Sequence, residues 1–293
     1  MTALEALPPL RAVLETQGLS PRKSLGQHFL FDLNLTRRIA RAAGPLQDHV
    51  VFEVGPGPGG LTRALLLEGA GHVIAIERDA RCAGVLDEIA AAAPGRLTRV
   101  DADALTVHEP ALMPQALAGR PAKVVANLPY NVGTALVVRW LTGEAWPPWY
   151  TSLTLMLQKE VVERLVAAPG SKAYGRLSVL AQWRARARHG FDVPAAAFVP
   201  PPKVASAVGS ITPGEPVLPC PPAALERITA AAFGQRRKML RGSLKAVTPA
   251  PEALIEAAGL APTQRAEEVD VAGFCRLASA LAGKSASERS QTG

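Results

Sequence analysis

Aromatic residues are scarce in this chain, 5% of 293 positions, and cysteine is scarcer, with three. Cys82, Cys220 and Cys275 lie far apart and include no Cys-x-x-Cys pair. They cannot build a zinc ribbon, and an odd count argues against a disulfide framework. The five histidines are scattered as well, so no metal is expected. No apolar run approaches the length needed to span a bilayer, and no membrane partner is expected. The stretch from Met1 to Leu19 carries Glu5 early and has no basic block leading into an apolar one. It does not read as a secretory signal, so the expected location is the cytoplasm.

Apolar residues, in contrast, make up 48% of the chain, ample for a sizeable core, which excludes disorder as the global state. Lys and Arg outnumber Asp and Glu by 32 to 25, a net charge of +7. A soluble chain this basic points to an acidic partner, of which nucleic acid is the commonest.

Composition divides the chain into four stretches. Residues 1–24 form a leader ending in Arg22-Lys23. From 25 to 212, β-rich runs alternate with helical patterns. Val50–Val54, Val73–Glu77, Leu97–Asp101 and Lys123–Asn127 read as strands. The alternation predicts an α/β fold with a mostly parallel, doubly wound, Rossmann-like sheet. Leu153–Leu157, Leu180–Val193 and Val204–Ile211 are strand-like with little helix between the last two, which predicts an antiparallel pair at the sheet edge. Pro213, Pro216, Pro219, Pro221 and Pro222 mark a linker and hence a domain boundary. A smaller helical domain is expected over 213–283, opening with one long helix from Ala223 to Val247. A polar tail, 284–293, is expected to fray.

The first strand runs into Glu53-Val-Gly-Pro-Gly-Pro-Gly-Gly-Leu-Thr62, in which Gly55, Gly57 and Gly60 satisfy G-x-G-x-x-G. Glycines there allow a tight turn and a close backbone approach to a ligand. Glu77, closing the next strand, suits a carboxylate gripping ribose hydroxyls. A nicotinamide dehydrogenase and a methyltransferase share these features. Asp101-Ala-Asp103 follows the third strand; one carboxylate suits an adenine amine, and the other a turn or helix cap. Asn127-Leu-Pro-Tyr130 follows the fourth. All four elements fall at the carboxyl ends of strands, where such sheets bind ligands.

The last motif has a specific chemical meaning. An adenine amine is a poor nucleophile because its lone pair is delocalised into the ring. Acceptors on both N–H groups localise that pair, and the Asn127 side-chain oxygen and the Leu128 carbonyl supply them. Pro129 restricts the backbone that carries the carbonyl. Tyr130 offers a flat face for an extruded base. Catalysis would then consist of positioning and polarisation for an in-line displacement, without a dedicated base.

These motifs resemble those of one family, the ribosomal RNA adenine dimethyltransferases. The resemblance covers nearly the whole chain: Lys23-Ser-Leu-Gly-Gln-His-Phe-Leu30, Glu53–Gly57, Ala75-Ile-Glu77, Asp103-Ala-Leu105, Asn127-Leu-Pro-Tyr-Asn131, Tyr174-Gly-Arg-Leu-Ser178, Phe198–Val204 and Ala232-Phe-Gly-Gln-Arg-Arg-Lys238. It is closest to the small-subunit branch. The resemblance implies S-adenosylmethionine as cofactor, with contacts at His28, Leu30, Gly55, Glu77, Asp103 and Asn127. It implies that Asn127, Leu128, Pro129 and Tyr130 form the catalytic turn and that Phe198 stacks on the base from its other side. The implied product is N6,N6-dimethyladenosine at two adjacent adenines in a hairpin near the 3′ end of small-subunit RNA, within an immature 30S-type particle. Two positions depart from the family pattern. His28 stands where Asn is frequent, and either side chain can donate a hydrogen bond. Ala205 stands where Asp is usual.

Basic residues cluster at Arg236, Arg237, Lys238, Arg241 and Lys245, with no acidic residue from Arg227 to Pro251. On one helix, Arg237, Arg241 and Lys245 would share a face, as expected of phosphate contacts. Arg22 and Lys23 could also reach RNA. Arg184, Arg186 and Arg188 alternate at a period that would align them on one face of a strand. A monomer is the default expectation. Other readings are a large-subunit methylase of the macrolide-resistance type, an assembly factor that binds RNA with little catalysis, a DNA adenine methylase and a dehydrogenase.

Overall fold

The computed structural model describes residues 2–22 and 25–291; Lys23 lies outside the described residues. Two short helices, α1 (Ala3–Ala6) and α2 (Leu10–Thr16), precede β1 (Phe29–Leu30) and α3 (Leu33–Ala42). Asp32 caps α3 by accepting from the Asn34 N–H at 2.8 Å. Strand and helix then alternate through β2 (Val50–Val54), α4 (Gly60–Leu67), β3 (His72–Glu77), α5 (Ala83–Ala92) and β4 (Leu97–Asp101). They continue as β5 (Ala122–Asn127), α6 (Gly133–Thr142), β6 (Tyr150–Gln158) and α7 (Lys159–Val166). Next, α8 (Arg176–Arg184) runs straight into β7 (Ala185–Val193), before β8 (Phe198–Val199) and β9 (Ser206–Pro213). The rest is helical: α9 (Pro222–Gly234), α10 (Leu240–Ser243), α11 (Pro251–Ala257) and α12 (Val271–Gln291).

Seven strands form one sheet in the order β4-β3-β2-β5-β6-β9-β7. From β4 to β6 the pairing is parallel, and β9 joins β6 antiparallel, as the alternation of patterns predicts. Every residue of β2 and β3 is buried, which is why these strands read as continuous apolar runs without alternation. The chain moves outward from β2 to β4 and then returns to place β5 on the other side of β2. The switch point therefore lies between β2 and β5, and a crevice opens at their carboxyl ends. A separate pair, β1 with β8, sets Leu30 opposite Phe198.

By packing, the chain divides into two units. The first comprises Met1–Leu136, Trp149–Val162 and His189–Thr212; the second comprises Val137–Pro148, Glu163–Arg188 and Pro213–Gly293. The second unit thus resumes at the proline-rich stretch, but it also takes two earlier segments. Val179, Leu180 and Trp183 of α8 are buried in one cluster with Leu225, Ile228 and Phe274, which makes α8 part of the second unit's core.

Two sequence expectations are corrected here. Leu180–Val193 is not one strand, because its first five residues end α8. That helix buries Val179, Leu180, Ala181, Trp183 and Arg184, so it shows no amphipathic period. Arg184 consequently does not project beside Arg186 and Arg188. Its guanidinium stacks 4.1 Å from the Trp146 ring centroid and donates from Nε to the Leu141 carbonyl at 2.8 Å. Nor is Ala223–Val247 one helix. After Gly234 the backbone turns away: Met239 bridges Arg265, and the Leu240 N–H donates to the Gln264 carbonyl at 2.7 Å. Arg237, Arg241 and Lys245 therefore do not share a helix face.

Candidate active site

The loop from β2 to α4 is where glycine is required. Gly55 and Gly57 have φ of 68° and 54°, the left-handed region that side chains disfavour. A Cβ on Gly55 would lie 3.3 Å from Pro129 Cδ, and one on Gly57 3.2 Å from Phe29 Cε1. The Gly57 N–H donates to Glu77 Oε2 at 2.8 Å, and the Asp79 N–H donates to Oε1 at 2.8 Å. Burial raises the Glu77 pKa, and these two backbone bonds oppose the rise. The carboxylate is thereby fixed at the end of β3, with its remaining lone pairs available to hydroxyl donors.

Around it lies a network that sequence reasoning missed. Arg81 grips Asp79 at 2.6 Å and, with help from the Gln27 amide at 2.9 Å, holds its carboxyl down to about 2. Gln27 also accepts from the Arg22 N–H at 2.9 Å, so the Gly26-Gln27 segment is tied to the turn after β3. Glu53, 1% exposed, accepts from the Thr62 hydroxyl at 2.6 Å. Burial pushes its carboxyl up to about 8. Its position directly before the glycines was the available signal.

Asn127 ends β5 and Glu77 ends β3, and both line one cavity with Gly55, Asp103, Tyr130 and Phe198. Among the described residues no hydrogen bond engages the Asn127 side chain, and none ends on the Leu128 carbonyl. The Pro129 carbonyl, by contrast, accepts from the Gly133 N–H at 2.9 Å, which anchors the turn to the start of α6. The Tyr130 hydroxyl is 2.5 Å from Ser206 Oγ, and the ring lies 5.5 Å from that of His28, tilted by 32°. Nothing in the sequence marked Ser206. Burial raises the Tyr130 pKa, so the phenol stays neutral at physiological pH.

The other expected contacts also reach this cavity: His28, Leu30, Asp103 and Leu128 line it. Asp103 caps its own turn by accepting from the Leu105 N–H at 2.9 Å and pairs with Arg78 at 3.2 Å. Asp101 instead pairs with Arg99 and is not among the residues lining the cavity, so of the two carboxylates it is Asp103 that reaches the cavity, although it also caps the turn. His28 Nδ1 lies 2.8 Å from the Pro200 carbonyl. A carbonyl only accepts, so Nδ1 carries the hydrogen in this contact, and Nε2 is left to the cavity. At Ala205 no carboxylate is available, and the backbone carbonyl accepts from the Lys159 N–H at 2.9 Å.

Of the basic residues, Arg22, Arg237, Lys238, Arg241 and Lys245 are exposed. Arg236 differs from them: it pairs with Glu267 at 2.7 Å and donates to the Tyr174 carbonyl at 2.8 Å and the Ser171 carbonyl at 3.1 Å. Those internal bonds leave its guanidinium to the fold of the second unit.

Residues 18–283 match the family model for ribosomal RNA adenine dimethylase. The chain belongs to that family. Its members are S-adenosylmethionine-dependent methyltransferases, which selects the methyltransferase reading of the glycine motif over the dehydrogenase one. A ribosomal RNA small subunit methyltransferase A from Azorhizobium caulinodans is 61% identical over 96% of this chain and 95% of its own. One from Methylobacterium radiotolerans is 62% identical over 95% and 94%. Among solved structures, a dimethyladenosine transferase from Plasmodium falciparum shares the fold, with a TM-score of 0.70 at 23% identity over 85% of this chain and 96% of that one. The 23S rRNA methyltransferase ErmE matches with a TM-score of 0.61 at 28% identity over 87% and 99%.

Proposed function

We propose that this family member dimethylates N6 of two adjacent adenines in the 3′-terminal hairpin of small-subunit ribosomal RNA. It acts as a monomer, in the cytoplasm, on an immature particle. The observation that carries the chemistry is the pair of unengaged acceptors, the Asn127 amide oxygen and the Leu128 carbonyl, on residues that line the same cavity as Glu77. Relatives near 60% identity named for the small subunit support the choice of RNA.

The cavity's own features fit the cofactor: two left-handed glycines leave room that a Cβ would fill, and the Glu77 carboxylate is held in place to take ribose hydroxyls. S-adenosylmethionine, when bound, supplies an electrophilic methyl group on a sulfonium. His28, Leu30, Gly55, Glu77, Asp103 and Asn127 would hold it. Asn127 and Leu128 accept from the two N6–H groups, so the nitrogen lone pair turns from the ring toward the methyl group. Tyr130, held by Ser206, stacks on the base, and Phe198 lies on its far side. The cofactor would supply the methyl group and keep the C–S bonding pair as S-adenosylhomocysteine, and the alkylated nitrogen would release its proton to water. A second cycle on the same nitrogen uses the remaining N–H. Four cofactor molecules are consumed per RNA. Exposed Arg22, Arg237, Lys238, Arg241 and Lys245 contact phosphates, and Lys23, adjacent in sequence, is assigned with them.

The test is single-turnover methyl transfer by Asn127→Ala. Transfer falls by at least a hundredfold while RNA affinity is unchanged. Turnover within a few-fold of wild type would refute the assigned role.

A further inference from the structure

The leader belongs to the first unit and shares residues with the cavity just described. Leu10, the first residue of α2, lines that cavity together with Leu30, Gly60 and Leu61. A Cβ built on Gly60 would lie 3.1 Å from Leu10 Cδ2 and 2.8 Å from the Leu30 carbonyl oxygen. Gly60 opens α4 directly after the glycine turn, so Leu10 packs against the same backbone that cradles the cofactor.

One side chain ties the segment just before Leu10 to α4. Arg63, on the first turn of α4, donates from Nη1 to the Pro8 carbonyl at 2.9 Å. Its Nη2 donates to the carbonyls of Leu7 at 3.0 Å and Glu5 at 3.3 Å. Three leader carbonyls, those of Glu5, Leu7 and Pro8, therefore converge on a guanidinium carried by the helix that the glycine loop opens. Leu4 is buried in the main core cluster and anchors the leader at its start. Farther along, Gln17 donates to Glu88 of α5 at 3.0 Å. Between these anchors Val13 and Leu14 are buried, and a second cavity of about 590 Å³, lined by Pro9, Val13, Leu33 and Ile89 as well as Leu10, adjoins the leader. A ligand packed against Leu10 adds contacts that only the docked leader offers.

We propose that Leu10 is a cofactor-contacting wall residue and that Arg63 positions it, so that cofactor binding and leader docking are one coupled equilibrium. This rests on the assignment of the cavity to S-adenosylmethionine. Leu10 is half-buried and outside the core cluster, so its loss leaves the fold intact. Linkage is reciprocal: whatever the leader adds to cofactor affinity, the cofactor adds to leader docking.

The experiment uses the full chain and S-adenosylhomocysteine as probe, titrated calorimetrically against wild type, Leu10→Ala, Arg63→Met and the double variant. Each single variant raises Kd about five- to tenfold, as expected for removing a partly buried leucyl contact. The KM for the methyl donor rises in step while kcat holds, a split that general destabilisation does not produce. Because Arg63 acts through Leu10, the double variant binds no more weakly than the weaker single one. Hydrogen exchange at residues 10–16 slows when the probe is added to wild type and stays unchanged in Leu10→Ala. Unchanged Kd in both single variants, or additive losses in the double, would overturn the proposal. A wild type that binds no probe would instead overturn the assignment of the cavity, and the proposal with it.

Discussion

Glu53 offers a direct handle on the electrostatics beneath the glycine loop. It is 1% exposed, and burial lifts its carboxyl from 4.5 to about 8, against the Thr62 hydroxyl bond and with the Glu77 charge pushing further upward. The folded chain therefore keeps the Glu53 proton at neutral pH, whereas the unfolded chain releases it. Below pH 4.5 both states hold the proton, and the contribution to stability is complete. Above that value only the folded state holds it, so stability falls as pH rises and the loss is complete above about 8. At about 1.4 kcal/mol per pH unit, the full window amounts to about 4–5 kcal/mol. A neutral amide at this position has no such window. Urea unfolding of the cofactor-free chain at pH 5, 6, 7 and 8 compares wild type with Glu53→Gln. Wild type should lose about 3–4 kcal/mol relative to the variant between the extremes. A constant gap between the two proteins from pH 5 to 8 would refute the reasoning, because it would mean that Glu53 titrates alike in both states.

Four further expectations come from the geometry. Arg184→Met strands the Leu141 and Gly143 carbonyls inside the second unit and should lower stability by about 2–4 kcal/mol, read as a fall in Tm. Gly57→Ala forces φ of 54° on a side chain that meets Phe29, and calorimetry should show cofactor affinity reduced by about tenfold or more. Joint reversal of Arg237 and Arg241 to Glu should weaken RNA binding and flatten its dependence on log salt by about two. Arg236→Ala should instead lower stability by about 1–2 kcal/mol and leave that slope alone, since its partners are Glu267 and two carbonyls.

The parallel core of the fold was readable because β2, β3 and β5 are short apolar runs ending in chemistry-bearing residues. The same burial that makes strands legible hides a buried helix: Leu177–Ala181, Trp183 and Arg184 of α8 are all buried, so Leu180–Arg184 reads like strand. The break after Gly234 was not legible either, because it is set by long-range bonds from Met239 and Leu240 to Arg265 and Gln264. In the site, residues tied to a motif were readable by spacing. Ser206, Gln27 and Asp79 act through hydrogen bonds across 76 and 52 positions, and pattern within one segment carries no trace of those. Arg236 shows the converse, a basic residue in a basic run whose role is decided by an acid 31 positions away.

The central claim is that the unengaged acceptors of Asn127 and Leu128 direct methyl groups to adenine N6 in small-subunit RNA. It is tested most directly by incubating the purified chain with radiolabelled S-adenosylmethionine and small ribosomal subunits lacking the modification, then mapping the labelled nucleotides by mass spectrometry. Dimethyladenosine at two adjacent positions near the RNA 3′ end, absent with Asn127→Ala, is the predicted result. No label on the small-subunit RNA, label at other positions, or equal label with the variant would contradict the account.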